Sequence, residues 1–125
     1  MSRLVLTPGP DHPITIEPNP DRVVVRHGGT VVADTRSALT LREAGYPAVQ
    51  YIPRADVDLG RLERTDHETY CPFKGDASYF TIDAGDDAAA NAVWCYESPY
   101  DAVSEIKEHF AFYPKHVDIR EEPAG

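Results

Sequence analysis

Along most of the chain the apolar positions recur at every second residue, the period of a strand with one buried face. Ile14-Thr15-Ile16-Glu17 opens the series, and Pro18-Asn19-Pro20-Asp21 closes it with a run of turn formers. The β-branched runs Arg22-Val23-Val24-Val25-Arg26 and Thr30-Val31-Val32-Ala33-Asp34 flank His27-Gly28-Gly29, whose glycines supply the positive φ of a tight hairpin. Ser37 to Gly45 has an N-cap-like serine and a terminal glycine, yet Leu39 and Leu41 stand two apart with Thr40 and Arg42 on the other face, which favours a strand. Ala48-Val49-Gln50-Tyr51-Ile52 is strand-like and is stopped by Pro53. Arg54 to Asp58 reads as a polar connection with at most one helical turn, and Leu59 to Glu68 is weakly patterned, with Leu62 its clear core candidate.

The next stretch, Thr69 to Phe80, organises the rest. In Cys71-Pro72-Phe73-Lys74-Gly75 the proline presets φ for a turn and Gly75 can take a positive φ as the chain leaves. Alternation follows, with Ala77, Tyr79 and Thr81 on one face and Ser78, Phe80 and Ile82 on the other. A turn feeding a strand holds Cys71 and Lys74 together at a sheet's edge or mouth. Asp83 to Asn91 is acidic and small, an exposed connection. Val93-Trp94-Cys95-Tyr96 is a short strand, Trp94 and Tyr96 on one face, Val93 and Cys95 on the other. Ser98 as N-cap, Pro99 at the first position and Asp101 in a capping box predict a helix ending near His109, with Ala102, Val103, Ile106 and Phe110 as its apolar stripe. Val117-Asp118-Ile119-Arg120 reads as a last strand.

Seven or eight short strands and one late helix predict a mainly β fold, a single-domain curled antiparallel sheet or small barrel with one C-terminal α-helix packed across it. Three prolines in the first thirteen positions make residues 1–13 an extended N-terminal arm, residues 14–120 the domain and residues 121–125 a C-terminal tail. A length of 125 residues fits one ordinary domain.

Charge narrows the partners. Twelve Lys and Arg against 21 Asp and Glu give a net charge of -9, which repels nucleic acid and anionic lipid. Neither a signal-peptide-like run at the N-terminus nor a membrane-spanning run is visible, so the expectation is a cytoplasmic protein. In that compartment Cys71 and Cys95 are expected as free thiols.

Several multi-residue motifs agree with one family. Val32-Ala33-Asp34-Thr35, Tyr51-Ile52-Pro53-Arg54-Ala55-Asp56-Val57, Thr69-Tyr70-Cys71-Pro72-Phe73-Lys74-Gly75, Trp94-Cys95-Tyr96 with Pro99, and Ile106 to Tyr113 keep their order between about Val23 and Ile119. Together they resemble domain-of-unknown-function family 427, also filed under a nucleotidyltransferase-like name. The resemblance implies a mostly β domain of bacterial type and little chemistry.

Three functional readings remain. The first is a pocket for a small polar or anionic molecule, lined by Tyr51, Tyr70, Tyr79, Trp94, Tyr96 and Tyr113 with Cys71 and Lys74 at its rim, since aromatics offer area and a few directed hydrogen bonds. For any single aromatic, core packing is the plainer role. The second is an enzyme of nucleotidyl or group transfer using Cys71 as nucleophile or Lys74 as a clamp on an anionic group; no base stands at dyad spacing, and a structural thiol is the plainer fate. The third is a structural or self-association module working through strand edges, leaving a homo-oligomer open. No cofactor is implied. Cys71, Cys95, His67 and His116 lack zinc-ligand spacing, Asp56-Val57-Asp58 reads as a turn, and His12, His27 and His109 read as a tail residue, a hairpin tip and a cation near the helix end, so no metal is expected.

Overall fold

The structure, a computed structural model, describes residues 3–83 and 89–123, and most of the acidic connection predicted over residues 83–91 lies outside them. Among the described residues ten strands follow in order: β1 (Ile14–Pro18), β2 (Arg22–His27), β3 (Thr30–Thr35), β4 (Leu39–Glu43), β5 (Val49–Pro53), β6 (Leu62–Cys71), β7 (Gly75–Ile82), β8 (Val93–Cys95), β9 (His109–Phe112) and β10 (Asp118–Glu122). Every pairing between them is antiparallel. They form one sheet in the order β1-β4-β5-β9-β8-β7-β6 and a second in the order β10-β2-β3. The larger sheet ends on β1 and β6 without joining them, so the barrel alternative falls away and two open sheets take its place. The final strand also runs on through Glu121 and Glu122, past the expected start of the tail.

Side-chain alternation sorts the interior into two layers. Ile52, Ile82, Val93, Cys95, Phe110 and Phe112 on the larger sheet pack with Val23, Val25, Val32 and Ala33 on the smaller one. Their sequence neighbours turn to the opposite face, where Tyr51, Ala77, Tyr79, Tyr96 and Ala111 cluster with Leu41, Val103 and Ile106. The strands β5, β7, β8 and β9 are therefore buried on both sides, and the second face gathers the tyrosines. The two sheets are joined where Asp58 N donates to Val32 O at 2.8 Å and Ala33 bridges Val57. The side chain of Asn19 adds a tie, donating to Gln50 at 3.0 Å and to Glu121 at 2.8 Å.

The predicted C-terminal helix does not form. Ser98 caps nothing; a 3-10 segment, Asp101–Ile106, starts after Tyr100 without a side-chain cap and is kinked at Val103 (φ −127°, ψ 27°). Glu108, at φ 55°, turns the chain, and His109 begins a strand instead of ending a helix. The spacing of Val103, Ile106 and Phe110 matches a helical stripe, but Phe110 and Phe112 also stand two apart. The strand pattern wins because β9 lies between β5 and β8 and bonds to both. The weakly patterned run from Leu62 is a ten-residue edge strand, largely exposed and bulged between Arg64 and Glu68, which explains its missing hydrophobic alternation.

The N-terminal arm is held down. Leu6 N donates to Pro72 O at 2.9 Å, Tyr70 Oη donates to Leu4 O at 2.5 Å, and Arg3 makes two hydrogen bonds to Asp76.

At the far end of β7, Asp83 meets Arg61 and lies 2.8 Å from His27 Nδ1. Hydrogen bonds from Arg61 and His27 hold its carboxyl down to about 2. Unfolded aspartate titrates at about 3.9, so this contribution to stability is complete above that value and disappears as pH falls toward 2. The expected result is a smaller loss of Tm between pH 5 and pH 2.5 in Asp83→Asn than in the parent protein, read by circular dichroism. Equal losses would contradict it.

Candidate functional site

The turn that opens β7 places the first cation of the site. Lys74 N donates to Cys71 O at 3.1 Å, closing the turn with Pro72 in its second position, and Gly75 leaves at φ 108°. The Gly75 Cα lies close enough to the Ser98–Tyr100 segment that a Cβ there would be in van der Waals contact with Ser98 O at 3.5 Å, and Tyr100 N donates to Lys74 O at 3.0 Å. The two motifs that punctuate the sequence, Cys71 to Gly75 and Trp94 to Pro99, are thus packed backbone to backbone.

Lys74 then reaches across to β4 and pairs with Glu43. His12 from the N-terminal arm sits 2.7 Å from the other Glu43 oxygen and stacks on Phe73 with ring centroids 4.0 Å apart. Burial alone would raise the Glu43 carboxyl, but the hydrogen bonds with Lys74 and His12 outweigh it and hold the group below the usual carboxylate range. Lys74 is 12% exposed and Glu43 14%, so the pair is largely withdrawn from water.

Above this pair the tyrosine face of the larger sheet leaves a half-open cavity of about 200 Å³. Its aromatic wall is Tyr51, Tyr79, Trp94, Tyr96 and Tyr113, and Lys74 and Glu43 line it too. Leu41, Tyr46, Pro47 and Val49 complete it. Trp94 Nε1 donates to Tyr51 Oη at 3.2 Å, and its ring lies against Tyr113 at 4.5 Å between centroids. Tyr79 is held from behind by Thr69 Oγ1 at 2.9 Å and by the edge of His67. Burial pushes the hydroxyls of Tyr51 and Tyr96 well above the ordinary phenol range and that of Tyr113 up to about 12. At neutral pH these three are O–H groups, so they can donate and accept hydrogen bonds but supply no phenolate base.

Six of the eight side chains expected to make the pocket, Tyr51, Lys74, Tyr79, Trp94, Tyr96 and Tyr113, stand around this one cavity. Two do not. Tyr70 faces away because strand alternation on β6 sends Thr69 and Cys71 toward the tyrosine face and Tyr70 to the other. There it carries Arg3 over its ring at 3.6 Å and hydrogen-bonds Tyr100 Oη at 2.6 Å. Cys71 packs behind the lining, half-buried against the same cluster, and its thiol makes no side-chain hydrogen bond or ion pair to a described residue. Cys95 lies on the opposite face of the sheet, a free thiol whose pKa burial pushes up to about 12. That separation parts the two cysteines that a disulfide or a zinc site would need to bring together.

Glu43, Tyr46 and His12 escaped the sequence reading. Glu43 had a usable signal: it shares the parity of Leu39 and Leu41 on β4, which makes it a carboxylate on an inward face. His12 had none, since its contacts come from residues 31 and 61 positions away. Asp56, one of the paired carboxylates weighed for a metal, ends a 3-10 turn and accepts a hydrogen bond from Thr35 Oγ1 at 2.6 Å. Among the described residues no three His, Cys, Asp or Glu side chains are grouped so as to hold a metal ion. No helix among them is long and apolar enough to cross a membrane.

The family described as a domain of unknown function (DUF427) matches residues 15–123. No curated protein matches the chain.

Proposed function

The chain belongs to the DUF427 family, and from that premise we propose that it is a binding protein for a small, uncharged, ring-bearing molecule held in the tyrosine-lined cavity. The observation that carries this reading is the composition of the wall: flat aromatic faces for contact, neutral hydroxyls for direction, and one ion pair that is already neutralised. Among the described residues Lys74 is the only cation lining the cavity, and Glu43 occupies it, so an anionic ligand would have to break a sheltered pair to gain its charge. A neutral hydrogen-bonding ligand faces no such cost.

Size points the same way. An apolar cavity of roughly 150 Å³ holds one benzene ring, so about 200 Å³ suits one ring with a polar substituent. A nucleoside triphosphate is several times larger and highly anionic, which disfavours nucleotidyl transfer in this cavity. Catalysis through Cys71 is disfavoured as well, because the thiol is set behind the lining and, among the described residues, no base is hydrogen-bonded to it.

The chain's one tryptophan, Trp94, is a built-in reporter. Titrated with phenol, benzamide and benzoate, the protein should show Trp94 emission changes for the two neutral rings, with Kd on the order of 1 mM for ligands of this size, and at least tenfold weaker binding of benzoate. Tyr96→Phe, which removes a hydroxyl from the wall, should weaken phenol binding several-fold. Benzoate binding as tightly as phenol, or no change with any of the three, would overturn the proposal.

A further inference from the structure

We propose that the ligand is amphipathic: a ring fills the cavity, and an apolar chain of several carbons leaves past Trp94 and Tyr113 into the groove between the two sheets. This rests on the binding reading above and extends it to the rest of the molecule bound.

The groove has a volume of about 730 Å³ and adjoins the cavity along a shared wall. Tyr46, Pro47, Val49, Trp94 and Tyr113 line both. The polar residues are distributed unevenly along this shared path. Glu43, Lys74, Tyr51, Tyr79 and Tyr96 line the cavity alone, whereas the groove continues over Val23, Val25, Ile52, Phe112, Val117 and Ile119. Its two charged lining residues, Asp118 and Glu121, are both acidic and so offer an anionic tail nothing. One end of the path therefore suits a hydroxyl or amide on a ring, and the other suits methylenes.

Alternation builds this asymmetry. Trp94 and Tyr113 lie at the junction, with the tyrosine face on one side and the inter-sheet layer of Phe112, Ile52 and the β2 valines on the other. Val117 and Ile119 are only partly buried against that layer, so apolar surface stays accessible along the groove's far side. A chain laid there would cover it, and each buried methylene is worth about 0.8 kcal/mol, or roughly fourfold in affinity.

The test is a series of phenol, 4-ethylphenol, 4-butylphenol and 4-hexylphenol titrated into the full chain with Trp94 emission as readout. The expected result is a Kd that falls threefold to fourfold for each added methylene over the first few. In Ile119→Ser and in Val117→Ser phenol should bind as before, which also shows that the fold is intact, while the gain per methylene shrinks by half or more. Phenol binding with no dependence on chain length would overturn the amphipathic assignment and leave the ring-binding reading standing. Failure of every member, phenol included, would overturn both. A chain-length gain untouched in both serine variants would remove the groove from the site.

Discussion

Phe110→Ala should lower stability by about 4 kcal/mol, the larger of the two biggest effects expected in this protein. Phe110 is 1% exposed at the centre of the layer between the sheets, on a strand bonded on both sides, and its ring packs on Phe80 at 5.3 Å. Truncation removes most of a buried aromatic and leaves a void that two hydrogen-bonded neighbours keep from closing. A domain of this size is stable by about 5–15 kcal/mol in total, so the variant should fold marginally. Its neighbour Ala111 faces the other layer, and the tyrosine wall is not built on Phe110. Urea denaturation measures the loss. A cost below about 1 kcal/mol would mean that the central strand is not packed as described.

The second large effect belongs to the ion pair beneath the cavity. Glu43→Gln should cost about 2 kcal/mol, since it strands the Lys74 ammonium in a largely buried position and removes an acceptor from His12. Lys74→Met should cost a similar amount by stranding the carboxylate. The double variant should recover most of the loss, because two neutral side chains leave no unpaired charge. Additive losses in the double variant, measured by the same denaturation, would show that the two groups do not act as a pair.

Strand faces were legible in the sequence wherever both layers are apolar. Trp94 and Tyr96 against Val93 and Cys95, and Ala77 and Tyr79 against Phe80 and Ile82, divide between the two layers as their parity predicts. That parity was enough to gather most of the cavity wall. What the sequence hid has particular causes. Strand β6 is an edge strand, so its exposed polar residues carry no period. Strand β9 follows Ile106 at a spacing that serves a helix or a strand, and only the hydrogen bonds offered by β5 and β8 decide between them. The Ser98-Pro99 helix signal is spent on packing against the Gly75 turn. Tyr70 stands away from the cavity, against Arg3 and Tyr100, because gathering aromatics by composition takes no account of the face they occupy. The Lys74–Glu43–His12 cluster joins three remote segments, a contact that local patterning does not encode.

The most direct test of the central claim is a crystal structure of the protein grown with phenol. The account predicts one phenol molecule inside the cavity, its ring against Trp94 or Tyr113 and its hydroxyl within hydrogen-bond distance of a wall tyrosine or of the Lys74–Glu43 pair. A cavity closed by its own side chains, or one holding ordered water while phenol is absent from it, would contradict that claim.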